Sequence, residues 1–336
     1  QNEINKVVEK LLHSKRPIIH IGHGVRNSES KQALMNLLKK TEIPVMTTWN
    51  ATDIIPSDHK CFIGRPGAFA KRGANFNIQN CDFYLSIGSR LPFMVTGYNV
   101  KDFARNAYKI MVDIDDKELD KHDDLIDLKI QSDAFDFIKC LSKTIPQNYK
   151  LSKSWLNKCK SINQKYPLTQ NIYVSQNDWV YSYYFIDKLC ELIDGNHNIV
   201  TDMGLSFVGT HMGFKVKNNQ NIFTNSGHAP MGWGLPAAIG AFYANEKRST
   251  ICLTGEGGLM MNLQELATIM HNKIPMKIFI YNNGGYQTIK DTQVLGFQGR
   301  LMGCNEDTGI SFPDFKKISQ SFSFDFYRLN NNRQIE

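Results

Sequence analysis

STICLTGEGGLMMNLQELATIMHNKIPMKIFIYNN, residues 249–283, is the stretch on which the fold turns. Its first seven residues, Ser249 to Gly255, are apolar and β-prone, so they read as a buried strand that closes in a glycine-rich turn. Leu259, Leu263, Leu266, Ile269 and Met270 then recur at helical spacing, over the run LMMNLQELATIMH. A second apolar strand, KIFIYNN, ends in Asn282-Asn283. Strand, turn, helix and strand in this order are the unit of a parallel sheet flanked by helices. Two parallel strands ending side by side would bring Glu256 and Asn283 together at the carboxyl edge, where open α/β sheets bind ligands, although they lie 27 positions apart. Glycines let backbone N–H groups approach phosphate oxygens, and the positive end of a following helix favours the same anion. A hard divalent cation such as magnesium takes oxygen ligands, often one or two side chains plus substrate phosphates. Glu256 and Asn283 offer such oxygens, so the spacing reads as a metal-diphosphate clamp.

Gly255-Glu256-Gly257, 24 residues and then Asn282-Asn283 resemble the signature of thiamine diphosphate enzymes, which is Gly-Asp-Gly, a spacer and Asn-Asn. From Asn198 to about Asn330 the chain looks like the diphosphate-binding domain of the acetolactate synthase branch. The resemblance implies that Glu256, Asn283 and the backbone carbonyl of Gly285 hold magnesium, with Gly255, Gly257, Gly258 and Tyr286 on the cofactor. Glu256 departs from the family's aspartate, keeping charge and oxygens but adding a methylene.

SGHAPMGWGLPAAIGA, Ser226 to Ala241, is similar to the family's glycine-rich segment ending in Gly-Leu-Pro-Ala-Ala-Ile-Gly-Ala. Gly234, Ala237, Ala238 and Ala241 permit close helix packing, and Pro236 suits a first helical turn. The resemblance implies that Met231 supports the bent cofactor between its rings; read from the residue alone, it is equally a core filler. In NIVTDMGLSF, Asp202 and Gly204 follow another apolar strand and open a helix. Asp202 is either a cofactor contact or a helix N-cap. His228 either touches the diphosphate or substrate or is a satisfied loop residue.

Residues 1–145 form a separate unit. Strands are expected at PIIHIGHG, IPVMTTW, DFYLSIGSR and YKIMVDID, alternating with helical patterns such as SKQALMNLLKK. The fold class is therefore α/β, with two Rossmann-like domains, each a parallel sheet flanked by helices. Residues 146–170, opening with the polar PQNYKLSKS, read as the linker and the start of the next domain, and 171–336 as the diphosphate domain. The first unit resembles the family's central domain, which holds FAD in acetolactate synthases. Gly22, Gly24, Arg90, Thr96, Gly97, Asp113 and Asp115 match where that branch places strand-end turns, an arginine and an acidic strand end near the dinucleotide. RPGAFAKRGANF and IGSRLPFMVTGYN also resemble the flavin-binding branch. IGHGVRNS lacks the full Gly-x-Gly-x-x-Gly fingerprint, so a purely structural glycine turn competes with FAD.

A length of 336 residues suggests two domains, each able to bury a core. The formal charge of +7 is spread along the chain, which favours anionic ligands over nucleic acid. The cysteines at 61, 81, 140, 159, 190, 252 and 304 show no paired metal spacing and read as free thiols. Neither a signal peptide nor a transmembrane-length apolar run is evident, which points to the cytoplasm. The resemblance implies a further amino-terminal pyrimidine-binding domain that carries the activating glutamate, so this stretch alone is expected to be inactive and cut short at its C-terminus. It implies pyruvate as a 2-keto acid substrate, a second carbonyl as acceptor, and a homodimer or homotetramer. NNGGYQTIKDTQVLGFQGRLMG, after the paired asparagines, lacks the pattern of synthases for branched-chain amino acids and is closer to homologues acting on other carbonyls, nucleotide-linked keto sugars among them. Tyr286, Gln287, Lys290 and Gln293 are read either as acceptor-side residues or as a solvated helix face. A 2-keto acid decarboxylase, a flavin or nicotinamide oxidoreductase and a non-catalytic nucleotide-binding module are the competing functions.

Overall fold

A computed structural model describes residues 2–122 and 124–335. The chain forms two compact units that divide at Leu168/Thr169.

The first unit is a parallel five-stranded sheet in the order β2-β1-β3-β4-β5. Its strands are β1 (Pro17–Ile21), β2 (Val45–Thr47), β3 (Phe83–Ile87), β4 (Tyr108–Asp113) and β5 (Leu128–Gln131). The period of two along a strand sorts the core into two faces. Ile19, Ile21, Phe83, Leu85, Ile87, Ile110 and Val112 pack against helices Asn2–His13, Lys31–Thr41 and Ala134–Thr144. Ile18, Tyr84 and Met111 turn to the opposite face, under helices Arg72–Asn80 and Lys153–Lys165. That last helix lies inside the stretch expected as linker. Its Ser152 cap and the buried Trp155, Leu156 and Cys159 explain why: the Trp155 indole N–H donates to the Pro17 carbonyl at 3.1 Å, fastening the helix to β1. A mostly polar composition concealed one apolar face.

The second unit is a parallel four-stranded sheet in the order β7-β6-β8-β9. Here β6 is Asn198–Thr201, β7 Asn221–Phe223, β8 Thr250–Gly255 and β9 Met276–Tyr281. Val200 and Cys252 face Leu235, Ala238 and Phe242 of helix Gly234–Ala244. Ile199, Ile251 and Leu253 face Phe185, Ile186 and Leu189 of helix Ser182–Leu192. The single helix expected from Leu259 onward is two, Glu256–Met261 and Glu265–His271. Asn262 leaves helical geometry between them, and its side-chain amide donates to the Gly232 carbonyl at 2.7 Å. Six cysteines are buried free thiols and Cys140 is exposed. Among the described residues no helix is long and apolar enough to cross a membrane.

Candidate cofactor site

In the second sheet the strand order reverses between β6 and β8, so the crevice beyond their carboxyl ends is the topological switch point. Gly255 pairs with Tyr281 in register, which sets Glu256 beside the Asn282-Asn283 turn. The predicted approach of Glu256 and Asn283 is therefore present. Glu256 is 1% exposed, and its Oε1 accepts the backbone N–H of Asn283 at 2.8 Å and of Gly284 at 2.6 Å. Burial pushes its carboxyl above the ordinary range, against the opposing pull of the backbone N–H groups of Gly284, Glu256, Asn283 and Gly285.

A second buried carboxylate lies across the crevice. Asp202, also 1% exposed, accepts from the N–H of Met203 at 2.9 Å, from the N–H of Gly232 at 3.0 and 3.2 Å, and from the Thr254 hydroxyl at 2.8 Å. This corrects the N-cap reading of Asp202. The helix Leu205–Gly213 is instead entered through Gly204, whose φ of 88° suits glycine, and the Asp202 oxygens are committed to protein donors. Asp202 clasps the Met231-Gly232 turn to the end of β8, and Asn262 holds the same turn from its carbonyl side. Two glycines make room for the clasp. A Cβ at Gly258 would stand 2.0 Å from Asp202 Oδ2, and one at Gly234 would stand 2.7 Å from the Asp202 Cβ.

Met231, Gly257 and Tyr286 meet over this turn. A Cβ at Gly257 would lie 2.0 Å from Tyr286 Cε1 and 2.8 Å from Met231 Cε. The Tyr286 ring also packs edge-on against Phe312, with centroids 5.9 Å apart. His228 stands exposed in the glycine loop, outside this group. Beyond Tyr286, helix Gln287–Gly296 buries none of its residues. The Gln293 amide is tied to its own loop, donating to the Met302 carbonyl at 3.0 Å and accepting its N–H at 2.9 Å. Gln287 donates to Asp291 at 2.7 Å. Gln287, Lys290 and Gln293 are all half-buried on this helix. Thr254 and Asn262 were missed in the sequence, because neither type stands out until the turn they hold is seen.

The crevice of the first sheet reverses between β1 and β3 and is built differently. Gly22 N–H donates to Ile87 O and Gly24 N–H to Gly88 O, each at 2.9 Å. A Cβ at Gly22 would lie 2.2 Å from Gly88 O, and one at Gly24 would lie 2.7 Å from Gly88 Cα. Both glycines let the Gly88 turn after β3 approach closely. Arg90 is paired with Glu118 at 3.7 Å. Asp115 caps helix Asp116–Asp120 through the Lys117 N–H at 3.0 Å, and Asp113 accepts the Asp115 N–H at 3.2 Å. Thr96 donates to the Gly97 carbonyl at 3.2 Å, and Gly97 has φ 79°. The two stretches similar to the flavin branch do touch, through Ala68 N–H to Met94 O at 2.8 Å.

Residues 4–141 match the thiamine pyrophosphate enzyme central domain, and residues 202–336 match the thiamine pyrophosphate enzyme C-terminal TPP binding domain. The chain belongs to the thiamine pyrophosphate enzymes. Curated relatives align with nearly all of it: the acetolactate synthase isozyme 2 large subunit of Escherichia coli is 27% identical over 99% of this chain and 59% of the relative. A probable acetolactate synthase large subunit of Methanococcus aeolicus is 31% identical over 99% of this chain and 57% of its own length. That of Porphyra purpurea is 29% identical over 99% and 56%. The chain thus spans under three fifths of the length of these relatives. In this family setting the crevice at β6 and β8 lies in the TPP-binding domain, and the crevice at β1 and β3 lies in the central domain.

Proposed function

We infer that the chain supplies the central and diphosphate-binding domains of a thiamine diphosphate-dependent carboligase of acetolactate synthase type, which decarboxylates pyruvate and joins the two-carbon unit to a second carbonyl. The observation that carries this reading is the meeting of Glu256 with the Asn283–Gly285 turn at the switch point of the second sheet. The residues fit the cofactor's cation. The donors assigned to it are the Glu256 carboxylate, which lies beside the Asn283 turn, the Asn283 amide and the Gly285 carbonyl. One carboxylate with neutral oxygens suits magnesium, whose remaining positions fall to phosphate and water.

When bound, thiamine diphosphate supplies the electron sink for decarboxylation of a 2-keto acid and passes the remaining carbons to an acceptor. The protein's part is to bind and orient. Glu256, Asn283 and Gly285 would hold the cation, Gly255, Gly257 and Gly258 would offer their backbone to the diphosphate, and Met231 with Tyr286 flanks Gly257. Gly204 and His228 border the same crevice from the β6 turn and the glycine loop, with Asp202 behind them. FAD in the first unit would lie beside Gly22, Gly24, Arg90, Thr96, Gly97, Asp113 and Asp115, with the glycine turn serving as its floor. The whole protein would be a cytoplasmic homodimer or homotetramer, completed by a pyrimidine-binding domain.

Product analysis of the intact protein with pyruvate, thiamine diphosphate and magnesium tests this. Acetolactate is the expected product. Acetaldehyde alone would make the protein a decarboxylase, and no consumption of pyruvate would sink both.

A further inference from the structure

We propose that Glu256 is a positioning residue for the Asn283-Gly284 turn, dividing its carboxylate between two tasks: Oε1 holds the turn's backbone, and Oε2 is the oxygen left for the cation. This deepens the functional reading and rests on it for the cation alone. The staple itself is independent of any ligand.

Three observations converge. Oε1 accepts two consecutive backbone N–H groups, Asn283 at 2.8 Å and Gly284 at 2.6 Å. Those donors belong to an exposed turn that follows β9, whereas Glu256 follows β8 and is 1% exposed, so the bonds join a mobile kind of element to a fixed one. Gly284 has φ 77°, a left-handed conformation that a side chain would resist, so the turn is built to this shape.

Reach explains the residue type. An aspartate at position 256 would be shorter by one carbon–carbon bond, about 1.5 Å, which would draw its oxygens out of hydrogen-bonding distance of the turn as it now lies. The extra methylene that sets this chain apart from the Gly-Asp-Gly pattern is what lets one carboxylate span to the turn's backbone. Glutamate here is matched to the turn Asn283-Gly284-Gly285, and the two features form one design.

Amide hydrogen exchange at Asn283 and Gly284, in the intact protein stripped of thiamine diphosphate and magnesium, tests the staple before any cation is added. The Asn198 amide, bonded to Ser249 O at 2.9 Å, serves as internal reference. Glu256→Gln keeps an oxygen of the same reach, so protection should stay within about threefold of wild type. The same variant lacks the charge, so its magnesium affinity in the presence of thiamine diphosphate should fall about tenfold or more. Glu256→Asp keeps the charge but loses the reach, so exchange at both amides should quicken about tenfold or more, with Asn198 unchanged. Wild-type exchange in Glu256→Asp overturns the proposal, as does lost protection or unchanged magnesium affinity in Glu256→Gln. If Glu256→Asp also loses protection at Asn198, the glutamine variant decides: turn protection kept supports the staple, and lost overturns it. Should wild type bind neither thiamine diphosphate nor magnesium, the cofactor reading fails, and the exchange measurements still settle what Oε1 does.

Discussion

The two sheets share a strand order, second-first-third-fourth, and both reverse direction between their first and third strands. What stands at the reversal differs. In the first unit, Gly22 and Gly24 press against Gly88 until backbone meets backbone. In the second, two buried carboxylates, Asp202 and Glu256, hold adjoining turns by their N–H groups, with glycines spaced around them. Glycine at a strand end thus has two uses, letting two backbones meet or making room for a buried side chain. The buried acid tells them apart, since a carboxylate withdrawn from water must be repaid by donors that fix the surrounding backbone.

The sharpest way to break this contrast is Gly22→Ala. Its Cβ would collide with the Gly88 carbonyl, which belongs to a neighbouring turn and cannot swing aside, so the first unit should lose about 3 kcal/mol in urea denaturation. Thiamine diphosphate affinity of the intact protein should be unaffected. Stability unchanged by the substitution would mean that the two backbones do not meet tightly at Gly22.

Acid should separate the units next. His20 on β1 is fully buried, with Nδ1 2.6 Å from the Tyr84 hydroxyl, and burial lowers its pKa to about 4 from an ordinary 6.5. The folded state prefers the neutral ring, so this stability is whole above pH 6.5 and is lost as pH falls through 6.5 toward 4. Between pH 7.5 and 5 the first unit should weaken by about 2 kcal/mol, and His20→Phe should flatten that dependence. A urea midpoint with the same pH slope in wild type and variant would remove His20 as the cause.

A smaller effect is expected from Asp202→Asn. One oxygen remains to accept, but the new amide group must face N–H or hydroxyl donors, which should cost the second unit roughly 1–2 kcal/mol. Weaker thiamine diphosphate binding should accompany it, because the Met231-Gly232 turn is what loosens. An unchanged affinity with lowered stability would confine Asp202 to the fold.

How much of this was legible in the sequence depends on the element. The strands with a neighbour on each side, β1, β3, β4, β6 and β8, were visible as apolar runs, and so were the apolar edge strands β2 and β9. The edge strands β5 and β7 were not, each having one buried residue to mark it. Spacing alone brought Glu256 to Asn283, since two adjacent parallel strands leave little choice. The clasp made by Asp202 was not legible because its partners, Gly232 and Thr254, lie 30 and 52 positions away, and no local pattern connects them. Gly22 and Gly24 were ambiguous for a plainer reason: an absent side chain does not say what fills its place.

The Trp155 anchor bears on how the halves could be made separately. A cut placed by composition, at the polar residues around Pro146, would strip helix Lys153–Lys165 from the first sheet and leave Ile18, Tyr84 and Met111 without their cover. Such a fragment would expose an oily flank and invite clumping in the test tube. Ending the expressed segment after Leu168 keeps that helix with the strand to which its indole is bonded, and is the shorter path to a well-behaved half-protein.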